Sequence, residues 1–179
     1  MIAIEVSAYR AAGISFYKDT VKIVLHPRDF YETLTGEKDQ RAAVIFLCIC
    51  AGIYSIAATF FALENHATYF FLMLANGMLY PVVTAASLHL VLWASGSTKS
   101  GFSTTFRIVA YANVVLLLAW IPGLAPFAEI FKYYLVGMGL IKTVEISWIK
   151  AVAVILGTLG ILLLFLHLAR IFITGSLSL

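Results

Sequence analysis

Ala42 opens a stretch of 22 residues, ending at Leu63, in which no side chain carries a charge. A helix of about 20 apolar residues, rising 1.5 Å per residue, matches the roughly 30 Å hydrocarbon core of a bilayer. The rest of the chain agrees with a membrane reading. Of its 179 residues 62% are apolar and 12% charged, and mean hydropathy is +0.97, against about half and a quarter for soluble domains. The surplus apolar surface must face lipid, which makes membrane lipids the first expected partner. A soluble enzyme, a nucleic-acid-binding domain and a disordered chain are excluded, because each needs a solvated or strongly charged surface.

Further apolar runs complete an all-α reading: a polytopic membrane bundle of five transmembrane helices preceded by an amphipathic interfacial helix. The spans are expected at about 42–63, 69–93, 104–121, 127–144 and 148–174. Ile121-Pro122-Gly123-Leu124-Ala125-Pro126 forces a tight connection after the third. The fourth is the least apolar, with Glu129 and Lys132 in its first turns and Lys142 and Glu145 at its end, all expected to snorkel to the interfaces.

Twelve of the 21 charges fall in residues 1–41, six of each sign. The chain therefore divides into an N-terminal segment, 1–41, and a bundle, 42–179. Ten of the twelve Lys and Arg lie on one side if the N-terminus is cytoplasmic, which places a multi-pass protein in the cell (inner) membrane with its C-terminus outside. A secretory signal is not expected, since residues 1–25 hold five charges and no continuous apolar core. Cys48 and Cys50 sit two apart within the first span, where a helix points them in different directions, and read as packing residues.

On a helix over residues 6–24, Val6, Tyr9, Gly13, Phe16, Tyr17, Ile23 and Val24 share one side, opposite Ser15, Lys18, Asp19 and Lys22. This pattern fits a helix in the headgroup plane or docked on the bundle. A second short helix is expected from Pro27, which is preorganised for a first helical turn, with Asp29 and Glu32 near its positive end. Phe30 and Tyr31 would then anchor at the interface.

Ionisable and polar groups inside spans are functional candidates because lipid leaves them unsatisfied. Asn76, Tyr80, Thr84 and Ser87 share a face of the second span, with His89 on another; Asn113 lies on the third. On the fifth, Ala153, Gly157, Gly160, His167 and Thr174 form a stripe whose small residues should pack closely and carry His167 inward. Ala51, Ser55 and Thr59 make a similar stripe on the first. These groups fit interhelical hydrogen bonding, or a solute, ion or proton pathway around Asn76 and His167. Recognisable catalytic motifs are absent from the sequence. The nearest cluster is Glu129, Lys132 and His66. No cofactor or metal is expected.

Several stretches resemble the Ypt-interacting-protein (Yip) family of five-span membrane proteins. His26-Pro27-Arg28-Asp29-Phe30-Tyr31 is similar to the family's proline and paired aromatics before the first span. Gly96-Ser97-Thr98-Lys99-Ser100-Gly101-Phe102, then Phe106-Arg107 and Ala110-Tyr111-Ala112, resemble its glycine-bearing loop and third span; Gly139-Leu140-Ile141-Lys142, Ser147 and Lys150-Ala151 resemble the link into its last. Val114 stands where the family often has proline, and Glu145 where a polar or histidine-containing link is expected. The role itself is not defined by the resemblance; the N-terminal segment, the Lys99 to Arg107 loop and the small-residue faces of the bundle fit a non-enzymatic scaffold or adaptor that organises lipid or partner proteins, with a homo-oligomer as another expected partner state. Its expected contact surfaces are Phe16, Lys18, Lys22, Pro27, Phe30, Tyr31, Lys99 and Arg107. Eukaryotic relatives act in trafficking with lipidated small GTPases; the short N-terminal segment here implies a prokaryotic plasma-membrane member.

The topology is open to a direct check. Single cysteines introduced as Thr20→Cys and Leu179→Cys, in a background lacking Cys48 and Cys50, are expected to react with a membrane-impermeant maleimide from opposite sides; labelling from a common side would remove one span.

Overall fold

The computed structural model describes residues 15–34, 40–62, 65–97, 101–121 and 123–176, with side chains at 169 and 172–176 left aside. Every regular element among these residues is helical. An N-terminal helix α1 covers 15–25, followed by α2 (Pro27–Leu34), α3 (Gln40–Thr59) and α4 (His66–Ala94). Then come α5 (Phe102–Ala112), a 3-10 turn (Asn113–Val115), α6 (Leu116–Ala119), α7 (Ala125–Thr143) and α8 (Trp148–Ser176).

Local sequence explains the boundaries. Gly96 takes a positive φ of 74° at the end of α4, and Ser97 N–H reaches back to the Leu92 carbonyl at 3.0 Å, the glycine-terminated end that satisfies leftover helix carbonyls. Gly123, at φ 87°, turns the chain ahead of α7, and Pro126 sits in that helix's first turn. Within the third span, the Asn113 carboxamide donates to the Val109 carbonyl at 2.7 Å. That side chain competes with the backbone for a carbonyl four residues back, where the helix tightens into its 3-10 turn.

Among the described residues four helices are long and apolar enough to cross a membrane: Gln40–Thr59, His66–Ala94, Phe102–Ala119 and Trp148–Leu168. The fifth member of the bundle, α7, has the length but carries Glu129, Lys132 and Lys142. The third span lies at the centre, touching α3, α4 and α7, with eleven consecutive residues, Thr105 to Val115, buried. A helix buried on every side needs small or close-fitting neighbours. Ala51 and Ser55 of α3 are fully buried, and a Cβ on Gly77 of α4 would lie 3.1 Å from the Ala51 Cβ, so the expected small stripe of the first span lets α3 and α4 approach.

Two expectations are corrected here. On α8 the buried positions are Ala151, Val154, Thr158 and Leu162, while Ala153, Gly160 and His167 are exposed. Packing thus turns His167 away from the bundle. Helix α8 is apolar all round, and its hydrophobicity alone does not choose a face; contact with α4, where Val91 meets Gly157, does. On α1 the inward side carries Ile23, fully buried, and Phe16, half-buried, whereas Tyr17 and Val24 are exposed. That face is set by Phe46 of α3, whose ring lies 5.0 Å from that of Phe16.

Gly139 is the tightest fit between α7 and its neighbours. An added Cβ would lie 2.5 Å from Ile108 Cγ2 and 3.1 Å from Tyr31 Cε1, both on fully buried residues. Gly139→Val is expected to lower stability by about 1–3 kcal/mol through overpacking, read as a lower melting temperature in detergent, while Gly160→Ala, which meets nothing within 4 Å, leaves melting unchanged.

Candidate functional site

Two places gather the candidate residues: the docked N-terminal helices at one end of the bundle, and a polar cleft towards the other.

The first is built on aromatic side chains. Phe16 of α1 meets Phe46 of α3, Phe46 meets Tyr111 of α5 at 5.0 Å, Tyr111 meets Phe30 of α2 at 4.9 Å, and Phe30 meets Tyr31 at 5.4 Å. Such pairs each contribute about 0.5–1.5 kcal/mol beyond their buried area. Phe30 and Tyr31 are 5% and 0% exposed, so the expected interfacial anchors are instead part of the core. Pro27 starts α2 and commits it to helix, but the side to be buried is decided by α7 and α5. Tyr31 Oη donates to the Ile108 carbonyl at 3.3 Å, and burial beside Tyr111 holds the phenol above its ordinary pKa. Polar contacts close the rim. Lys142 Nζ meets Glu32 at 2.6 Å, Thr143 donates to the Tyr31 carbonyl, Lys22 donates to Thr33, and Arg107 Nη1 donates to the Leu34 carbonyl at 3.4 Å. That last contact puts a cation at the negative end of α2.

Hydrogen bonding from Lys142 and then Arg28 holds the Glu32 carboxyl below its ordinary value of 4.5. The Glu32–Lys142 pair therefore adds its share to the attachment at neutral pH, and that share alone is lost as pH falls through the lowered value. Lys18 is exposed on the outer side of α1, and Lys99 lies outside the described residues.

The second place is a cleft of about 250 Å³ between α3, α4, α6 and α7, lined among others by Tyr54, Asn76, Tyr80, Asn113, Glu129 and Lys132. Lys132 does not snorkel. Its side chain is 2% exposed, its ammonium pairs with Glu129 at 2.5 Å, and it lies 4.7 Å from the centre of the Tyr80 ring and 5.1 Å from that of Tyr133. Lys132 turns inward because it shares the buried stripe of α7 with Ala128, Leu135, Val136, Gly139 and Leu140. A carboxylate one turn earlier and two aromatic faces then replace water around the ammonium. Glu129 is half-exposed at the mouth. Pro81 borders the same cleft and has no N–H to offer the Gly77 carbonyl, and Asn113 of the 3-10 turn lines it too.

Asn76, Tyr80 and Asn113 are thus brought together, and Lys132, missed as a member of this group, joins them. The signal was present in the spacing of 128, 132, 135 and 139, a helix-face periodicity. Thr84 and Ser87 are buried within the α4 interface, Thr84 donating to the Tyr80 carbonyl at 2.8 Å. His89 lies elsewhere, with Nδ1 3.5 Å from Thr105 Oγ1 and its ring against Phe102. His66 does not join Glu129 and Lys132: its Nδ1 is 3.1 Å from the Thr59 carbonyl, in an apolar groove between α3 and α4. Gly157 packs on Val91, and Gly160 and His167 are exposed.

Comparison with known families assigns this architecture. The Yip1 domain profile matches residues 21–169. The chain belongs to the Yip1 domain family. It is accordingly a multi-pass membrane protein of that family, and the match takes in α2, the whole described bundle and most of α8. No curated protein and no solved structure matches the chain.

The Lys132–Glu129 pair separates two energetic effects. Glu129→Gln leaves a buried ammonium without its counter-charge and is expected to cost about 1–3 kcal/mol, discounted for the exposure of Glu129. Lys132→Met removes the charge with little change of shape and is expected to cost less than 1.5 kcal/mol. Melting of the two variants in the same detergent checks this; equal losses would mean that the ammonium is not desolvated.

Proposed function

We propose that this Yip1-domain protein is a non-enzymatic membrane adaptor, crossing the bilayer five times from a cytoplasmic N-terminus. On this reading α7 is the fourth of five spans, residues 1–41 form the presenting segment and residues 42–179 the anchor. The observation that carries the reading is the attachment of α1 and α2. Tyr31 is buried against Ile108 and Gly139 while Tyr17 and Leu25 of the adjoining α1 are 69% and 65% exposed. A fixed helix pair with apolar side chains turned outward is a surface for lipid or a partner protein at the cytoplasmic face of the membrane. The positive-inside count, which favours that orientation, adds support.

A photo-reactive amino acid placed at position 17 or 25 in native membranes is expected to give discrete protein or lipid adducts, lost when Tyr31→Ala releases α2. Adducts of equal yield with and without Tyr31 would overturn the role of the docked helices.

A second reading, transport of a small solute, ion or proton, is favoured by one specific feature, the buried Lys132 in the cleft with Asn76. Proteoliposome flux that falls at least tenfold in Lys132→Met would establish it at the expense of the adaptor; no flux above empty liposomes removes it.

A further inference from the structure

The polar cleft is a group of side chains that the adaptor role does not use; the following inference rests only on the part of that reading that makes α7 a membrane span. Both α4 and α7 begin at the end of the bundle opposite α2, so depth can be counted along them. Glu129 is four residues into α7, Lys132 seven and Asn76 ten residues into α4, or about 6, 10 and 15 Å at the helical rise. With both helices starting at the membrane boundary, as the five-span reading has them, the cleft runs from headgroup level into the hydrocarbon layer. Along it the charges are ordered: the carboxylate of Glu129 at the mouth and the ammonium of Lys132 at the base, 51% and 2% exposed. Asn76 lines the same cleft as an exposed residue and makes no hydrogen bond among the described residues. A free carboxamide at that depth is costly unless something polar covers it.

The charge order restricts the occupant. A simple anion on Lys132 would strand Glu129, and a simple cation on Glu129 would strand the buried Lys132, which is the expensive outcome. A group carrying both a phosphate and an amine exchanges one ion pair for two and strands neither. At about 250 Å³ the cleft is smaller than the range usual for whole ligands of drug size. It takes a headgroup and leaves acyl chains in the bilayer.

We propose that this cleft binds a zwitterionic phosphoamine headgroup, with its phosphate on Lys132 and the Asn76 amide and its amine on Glu129 at the mouth. The bound group meets the membrane from the leaflet opposite the docked N-terminal helices. The same chemistry exists as a lipid and as a free headgroup, and depth favours the lipid.

The full-length protein, purified in a neutral detergent, would be titrated with short-chain phosphatidylethanolamine, with short-chain phosphatidylglycerol and with glycerophosphoethanolamine, following bound molecules by native mass spectrometry. The expected result is saturable binding of the first, at least tenfold tighter than the second, and weakened at least tenfold in Lys132→Met and in Asn76→Ala. Glycerophosphoethanolamine binding as tightly as the lipid would uphold the zwitterion chemistry and assign a soluble source. Equal binding of the two lipids, or binding unaltered in both variants, would overturn the proposal. Asn76→Ala keeps the charge pair, so it reports even if Lys132→Met does not fold.

Discussion

A polar or charged group inside a bilayer has to find its partners within the protein, and the burial of the third span shows how this fold meets that requirement. From Thr105 to Val115 no residue of that span is left for lipid. Of its polar members Asn113 bonds within the span, to the Val109 carbonyl, while Thr105 lies beside His89 and Arg107 Nη1 reaches the Leu34 carbonyl. Around it α3, α4 and α7 fit through small residues, and α2 closes one end. In lipid, helix association gains little from apolar burial and depends on close packing and interhelical hydrogen bonds, and both converge on this helix.

The two ends of the bundle use that central helix differently. At one end its carbonyls and aromatic ring receive α2, so that Tyr31 and Tyr111 lock an extramembrane element to the bundle. Towards the other, its departure from α-helix at Asn113–Val115 stands beside α4 near Pro81, and the cleft they border holds Lys132. Irregular backbone at membrane depth is tolerated where it faces a polar cavity, which is the situation of the cleft. Helix α8 takes least part. It rests on α4 and α7, and Leu163–Leu168 is exposed throughout.

Much of this was legible in the residues themselves. The long charge-free runs make an all-helical membrane fold legible, and of the small stripe Ala51, Ser55 and Thr59 the first two lie fully buried in the packing face while Thr59 is half-buried. What sequence could not decide was rotation where a helix is apolar all round. Small residues on α8 point to an inward His167, but the contact with Val91 selects Thr158 and Leu162 instead. Phe30 and Tyr31 looked like interfacial aromatics because nothing local reveals that Gly139, over a hundred residues later, leaves room for a ring. Lys132 departs from expectation for a different reason: a charged residue near a helix start is expected to reach for water, although its spacing from Leu135 and Gly139 marks the buried face.

The central claim is that one helix is enclosed by the others while α8 borders lipid. Labelling the native protein in nanodiscs with a photoactivated, lipid-soluble diazirine, and mapping adducts by peptide mass spectrometry, tests it most directly. Heavy modification across residues 163–168 with almost none across 105–115 is the predicted result. Comparable modification of the two segments would contradict the account.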